Sequence, residues 1–321
     1  MEFNKVVIAG GGVLGVQIGL MSAYTGHDTT FWLRSEGSIG RTMPKIEHYT
    51  QEILKDLQAA KALIENPMGA YLYPRGLVKD WQNITPEKID ELLSIGEKNI
   101  KEKIHIELDM EKAFNDANIV IEAIAENLED KKALYAKIKD FIPNEAILCT
   151  NTSTLLPSSL AEFTGNPAKF CALHFANEIW KHNTAEIMGH TGTDKDVLDR
   201  VVAFADEINM IPLRLHKEQP AYILNTLLVP LLDSAMYLWV NGIADFETID
   251  LTWRLATGAP KGPFQILDVI GLETPYNIAL HKPNSNVEGT TEYLIVQKLK
   301  EKIEIGEKGI NAGKGFYDYT K

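Results

Sequence analysis

The chain is 321 residues long, 45% hydrophobic and 24% charged, with 44 acidic against 32 basic side chains and a formal net charge of −12 at pH 7. That length exceeds the commonest single-domain size and can bury a substantial core, so two domains are expected, while the acidic balance argues against a nucleic-acid partner because it repels polyanions. No apolar run approaches membrane-spanning length, and the apolar stretch near the N-terminus is broken by three glycines and preceded by Glu2 and Lys5, so neither a membrane partner nor a signal peptide is expected and a cytoplasmic location is.

The continuous apolar run "KVVIAG" predicts a parallel strand buried on both faces. Gly10-Gly11-Gly12-Val13-Leu14-Gly15 follows at once and fits G-x-G-x-x-G. In that pattern Gly10 makes a tight turn, Gly12 lets the backbone approach a pyrophosphate, and Gly15 lets the next helix pack close to the strand. Val13 and Leu14 then open the helix whose N-terminal amides form the anion site. The helix is predicted from about Val13 to Tyr24, and "TTFWL" is the second strand. Asp28 opens that strand, at the wrong edge for a ribose. At its closing edge, where a chain that binds NAD places Asp or Glu, stand Leu33 and Arg34. Arg34 can meet a phosphate with forked bonds, Ser35 can add neutral donors and Arg41 a second cation, which favours the 2′-phosphate of NADP(H); NAD(H) held without a ribose anchor is the alternative.

Apolar positions Ile46, Tyr49, Ile53, Leu57, Ala60 and Ile64 predict a helix over Thr42 to Ile64, and Thr85-Pro86 predicts the start of another. This helical excursion spans about 42–104. Strands resume at "IHIEL", "ANIVIEAI" and "AILCTN", with a helix from near Glu129 between the last two. Cys149 and Cys171 are too few for a disulfide framework and lack partners at metal-ligand spacing, so both are expected reduced and buried, with no metal. After "MIPLRLH" the signals turn helical, the longest stretch being "ILNTLLVPLLDSAMYLWV". The expected architecture is α/β: a Rossmann-type doubly wound domain over residues 1–216, then an all-α domain over 217–321.

Chemistry clusters between Ala146 and Glu186. Asn151, Thr152 and Ser153 follow one strand directly, His174 and Asn177 close another, and Glu186 lies twelve residues past His174 in what reads as the next strand. A carboxylate across from a histidine can fix its tautomer and stabilise the imidazolium, as an acid/base pair requires. On spacing alone each of these residues could equally be a cap or a local hydrogen-bonding group.

In order along nearly the whole chain, "GGGVLG", "IEAIAENLEDK", "NTSTL", "HFANE", Glu186, "LNTLLVP", "GPFQILDVIGLE" and "GKGFYDY" resemble the motif series of the 3-hydroxyacyl-CoA dehydrogenase family, "GxGxMG", "VEAxxEnlxxK", "NTSsL", "HFFNP", the glutamate, "NRLLxP", "GPFELxDxxGLD" and "GxGFYxY". "HFAN" followed by "HNTAE" looks especially like the diketoreductase branch. The resemblance implies His174 as acid/base, Glu186 as its orienting group, and Ser153 and Asn225 as donors to the substrate oxygen. It implies cofactor contacts from Glu126, Lys131, Asn151 and Asn177, a homodimer through the helical domain, and a homologue of a CoA-contacting lysine at Lys61.

Departures bear on the substrate. Ala176 and Glu178 replace an aromatic residue and a proline, and Thr226 replaces an arginine. In the first helix of the excursion Arg41, Lys45, Lys55 and Lys61 are balanced by Glu47, Glu52, Asp56 and Glu65, so CoA phosphates meet no basic funnel. The expected activity is hydride transfer between a nicotinamide cofactor and the 3-position of an acyl-CoA or of a related keto acid or ester. A sugar-acid 3-dehydrogenase of gulonate type and a non-catalytic cofactor binder of crystallin type are the alternatives.

Overall fold

The computed structural model describes residues 3–320. The chain forms two compact units, the first ending at Tyr222 and the second starting at Ile223. The division falls a few residues past the boundary expected after residue 216, because the connecting segment stays on the first unit. The Leu215 amide donates to the Ile187 carbonyl, and Tyr222 is buried against Ala172 and Met188.

The strands of the first unit are β1 (Lys5–Ala9), β2 (Asp28–Trp32), β3 (Ile104–Glu107), β4 (Ile119–Glu122), β5 (Ile147–Thr150), β6 (Phe170–Phe175), β7 (Thr184–Met188) and β8 (Ile211–Arg214). They form one sheet in the order β3-β2-β1-β4-β5-β6-β7-β8. Neighbours are parallel throughout except β6 and β7, which run antiparallel. Period-two alternation sends Val6 and Ile8 of β1 into one core with Ile18, Phe31 and Ile121, and Val7 and Ala9 into a second with Val120, Tyr135 and Phe170. Both faces are covered, as the uninterrupted apolar strands demand.

Helix α1 (Val13–Tyr24) packs against α2 (Glu36–Ala59) and α4 (Pro86–Lys103), with the short α3 (Gly69–Leu72) between the latter two. α2 starts earlier than the expected Thr42 and gives way to a 3₁₀ turn over Ala60–Leu63 rather than continuing to Ile64. Ser35 supplies the extended cap position, and its carbonyl accepts from the Ser38 and Ile39 amides, so Gly37 and Gly40 are carried inside the helix. Thr85 caps α4 by accepting from the Lys88 amide at 3.3 Å, with Pro86 in the first turn. α5 (Met110–Phe114), α6 (Leu128–Ile138) and α7 (Lys195–Glu207) complete the first unit. Cys149 and Cys171 are free and buried as register partners on β5 and β6, their sulfurs 3.7 Å apart.

The second unit contains α8 (Tyr222–Val240), whose first residue belongs to the first unit, then α9 (Phe246–Thr257), α10 (Pro263–Ile270), α11 (Glu273–Leu280) and α12 (Thr291–Glu304). Leu232 and Met236 of α8 join Phe264, Leu267, Leu299 and Phe316 in its core. Contrary to the expectation that no run reaches membrane-spanning length, α8 is long and apolar enough to do so by length and composition, with a mean hydropathy of 1.5 over the tested window. Asn225, Thr226, Pro230 and Asp233 interrupt the run without lowering that mean enough. The C-terminal motifs have a structural explanation. Buried Asp268 accepts from the amides of Phe316 (2.7 Å) and Tyr317 (2.9 Å) and from the Tyr319 hydroxyl (2.9 Å). Asp250 accepts from the amides of Phe264 (2.8 Å) and Gln265 (3.0 Å) and from the Tyr317 hydroxyl (3.0 Å). Two carboxylates thereby tie the tail to α9 and α10.

Candidate active site

Sheet order reverses at β1, between β2 and β4, and a ligand crevice is expected at the carboxyl ends of these strands. The glycine turn lies there. Gly10 has φ +136°, and a Cβ on it would stand 2.6 Å from the Ala123 carbonyl oxygen, so no other residue fits. A Cβ on Gly15 would meet the Gly10 carbonyl oxygen at 2.7 Å, which is the close helix–strand approach foreseen from the motif. Gly12 caps α1 with extended backbone, leaving the first-turn amides to face a cavity of about 870 Å³.

One end of this cavity is basic. Leu33 is buried, its amide donating to the Glu107 carbonyl at 3.0 Å, and Arg34 is exposed beside it. Arg41 donates through Nη2 to the Ser38 hydroxyl at 3.1 Å, and Lys45 donates to the Arg41 carbonyl at 2.6 Å. Lys137 of α6 lies 5.9 Å from the centre of the Trp32 ring. Arg34, Ser38, Arg41, Lys45 and Lys137 all line the cavity, whereas Ser35, expected to do so, is engaged 3.1 Å from the Ser38 hydroxyl at the helix cap. Lys45 sits one turn after Arg41 and could have been found by that spacing; Lys137 carried no signal. Asp28 pairs with His105 at 2.8 Å, at the strand's opening end.

At the other end, Glu126 and Ser153 line the cavity together with Asn151. The Glu126 Oε1 atom accepts from the Thr152 hydroxyl, from the amides of Ser153 (2.9 Å) and Thr154 (2.8 Å), and from the Thr154 hydroxyl (2.9 Å). It therefore shapes the loop that carries Ser153. Burial acts to raise the Glu126 pKa, but the Thr152 hydroxyl, the Lys131 ammonium and the Thr154 donors outweigh it and hold the carboxyl below its ordinary range. Lys131, expected to touch the cofactor, is instead fully buried and absent from the cavity lining. Its ammonium lies 2.5 Å from Glu122 Oε1 and 3.6 Å from Glu126 Oε2. Glu122 closes β4 and also accepts from the Ile124 amide (2.8 Å) and from the Tyr135 and Thr150 hydroxyls (both 2.7 Å). A fully buried carboxylate needs such a set of donors, and the lysine is drawn inward to neutralise it. Glu122 was missed in the sequence, where its one signal is a charge ending an apolar strand.

His174 and Glu186 are register partners across β6 and β7, both buried, with Nδ1 3.1 Å from Oε2. The twelve-residue spacing is thus the end of β6, the connection over 176–183 and the first residues of β7. Tyr222 stacks on the imidazole at 4.5 Å between ring centres and 22° between planes. Asn151 Oδ1 accepts from the Phe175 amide at 3.1 Å, joining the Ser153 loop to the end of the histidine strand. Asn177 is exposed on the next loop and outside the cavity lining. Lys61 is paired with Asp90 of α4 at 2.5 Å, so its charge is met within the protein. Asn225 lies in α8, in the second unit.

A glycine turn at the switch point of a doubly wound sheet, with a buried histidine–glutamate pair on neighbouring strands, is the arrangement of a nicotinamide-dependent oxidoreductase. Family models described as the NAD binding domain and the C-terminal domain of 3-hydroxyacyl-CoA dehydrogenase match residues 83–219 and 222–319. A mitochondrial hydroxyacyl-coenzyme A dehydrogenase of Sus scrofa is 29% identical over 318 residues, 98% of this chain and 91% of that protein. A probable 3-hydroxybutyryl-CoA dehydrogenase of Bacillus subtilis (strain 168) is 30% identical over 224 residues, 70% and 77% of the two chains. A solved diketoreductase structure, described as performing dual catalysis of dicarbonyl compounds, is 40% identical, covers 99% of each chain and superposes with a TM-score of 0.81. The chain belongs to the 3-hydroxyacyl-CoA dehydrogenase family. The first of these family models begins at residue 83, after the glycine turn and β2.

Proposed function

We propose that this protein reduces the ketone of a 3-keto acid, ester or related dicarbonyl compound, and runs the reverse oxidation, with His174 as the proton-transfer group. The carrying observation is the buried His174–Glu186 pair. A nicotinamide cofactor held at the glycine turn would supply the hydride for reduction, and the His174 imidazolium would give its Nε2 proton to the carbonyl oxygen. Glu186 holds Nδ1 and stabilises the imidazolium, and Ser153 steadies the charge that grows on oxygen. At most a modest preference for a CoA thioester over a simple keto ester is expected, because Lys61 is held by Asp90. The dicarbonyl chemistry described for the 40% identical relative agrees with this. Comparing kcat/KM for acetoacetyl-CoA, an acetoacetate ester and a diketo ester tests it, and a thousandfold preference for the thioester would overturn it.

The cofactor is read as NADP(H) in preference to NAD(H). Arg34, Arg41, Lys45 and Lys137 gather where the adenosine ribose of a dinucleotide would lie, and Leu33 cannot accept from its hydroxyls. Titration with both reduced cofactors decides between them.

A homodimer through the second unit is also proposed, as against α8 lying in a membrane. Exposed Leu227, Leu251, Leu255 and Ile278 all fall in that unit, and only 17% of the tested window of α8 is buried. Sedimentation velocity on the purified chain without detergent is expected to give a dimer, and a monomer would remove this reading.

A further inference from the structure

We infer that Tyr222 is a positioning residue for the acid/base histidine, its ring fixing the plane of the His174 imidazole; this rests on the reading of His174 as the proton-transfer group. A hydrogen bond at Nδ1 fixes one direction of the imidazole and leaves the ring free to rock about that bond. A second, planar constraint is needed before Nε2 has a defined place. Glu186 supplies the first, at 3.1 Å. Tyr222 supplies the second, with ring centres 4.5 Å apart and planes within 22°. Its ring is itself immobilised: Tyr222 is fully buried, packed with Ala172 of the histidine strand, Met188 of the glutamate strand, and Leu156 and Leu215. The π face also lies against the one ring in the site that takes up positive charge during turnover, a favourable arrangement.

The backbone points the same way. Ala221 and Tyr222 have φ +65° and +55°, the left-handed region that side chains bearing a Cβ disfavour. Two consecutive non-glycine residues in that region persist only where the surroundings hold them. Here the turn swings the Tyr222 side chain back onto β6 and β7 while the main chain leaves to begin α8.

The test combines kinetics with NMR of ring-labelled histidine in the full-length protein. Tyr222→Leu removes the plane but keeps an apolar side chain, and kcat is expected to fall about 10- to 100-fold, the range associated with ångström-scale misplacement of a catalytic group. KM and cofactor Kd should change little, and the solvent deuterium isotope effect on kcat should rise as proton transfer becomes limiting. Tyr222→Phe, which retains the ring, should restore kcat and the isotope effect towards wild type. Should the Leu variant not fold, Tyr222→Met, flexible and non-planar, takes its place. Independently of any turnover, the His174 ring should be rigid in the wild type and in Tyr222→Phe, and mobile on the nanosecond scale in Tyr222→Leu. A ring equally rigid in all three proteins, or an unchanged isotope effect in an active Leu variant, would overturn the inference. If instead the ring loosens as expected but no carbonyl substrate is turned over by the wild type, the proposed reaction fails and the positioning role of Tyr222 stands.

Discussion

Each unit holds carboxylates in dense sets of donors, and the two units satisfy them differently. In the first, Glu122 and Glu126 share a buried cation, Lys131, as well as hydroxyl and amide donors. In the second, Asp250 and Asp268 are served by backbone amides and tyrosine hydroxyls. The consequences run in opposite directions. Glu126 is held below its ordinary pKa, whereas Asp250 is raised, chiefly by burial, with Asp268 adding repulsion against the lowering effect of its donors. A carboxylate whose pKa is lowered, such as Glu126, can order a loop as an anion. One that anchors a tail needs only to accept hydrogen bonds.

The contrast can be tested from its largest expected effect downward. His174→Ala should lower turnover about 10²–10⁴-fold while leaving cofactor binding intact, since it removes proton transfer and nothing of the glycine turn; near wild-type turnover by steady-state assay would end the mechanism. Lys131→Met should cost about 3–5 kcal/mol of stability, because it strands a buried Glu122 carboxylate. Denaturant unfolding measures that, and a loss no larger than for a surface lysine such as Lys98 would show that Glu122 has other support. Arg34→Ala should weaken NADPH roughly 10- to 100-fold and leave NADH nearly unchanged, from charge-assisted bonds of about 1.5–3 kcal/mol. Equal loss for both cofactors, seen by fluorescence titration, would mean that Arg34 reads no phosphate.

In the second unit, Asp268→Asn should cost about 1–3 kcal/mol, since an amide can no longer accept all three donors. The smallest effect is a pH dependence. A depressed group such as Glu126 contributes stability that is complete above its unfolded-state pKa and is lost as pH falls through the folded value. A raised group such as Asp250 does the reverse, its contribution being complete below the unfolded pKa and lost as pH rises through the folded one. Asp250→Asn removes that titration. The difference in unfolding free energy between variant and wild type should therefore move in the variant's favour as pH rises from about 4 to about 7. A difference constant over that range would contradict the raised Asp250.

Much of the site was legible before any coordinates because its signals are local. The glycine turn needs its residues within a few positions of one another, and the histidine and glutamate are separated by one strand return, so register alone brings them together. The start of α2 was misread because Gly37 and Gly40 carry loop propensity, and a cap at Ser35 outweighed them. Lys131 was misassigned because its partner Glu122 belongs to another element, and a charge at a strand end does not announce whether it is solvated or buried.

By itself, then, the amino-acid order determined the two-domain α/β layout, the glycine turn and the pairing of His174 with Glu186, since apolar periodicity, glycine at a positive φ and strand-to-strand spacing act over short stretches of chain. Tertiary structure alone decided that Lys131 points inward to Glu122, that Lys137 crosses from α6 to join Arg34 and Arg41, and that Tyr222 lies on the face of His174. Each of these depends on where distant elements meet, and on buried charge and strained backbone whose cost is offset only by the surrounding packing.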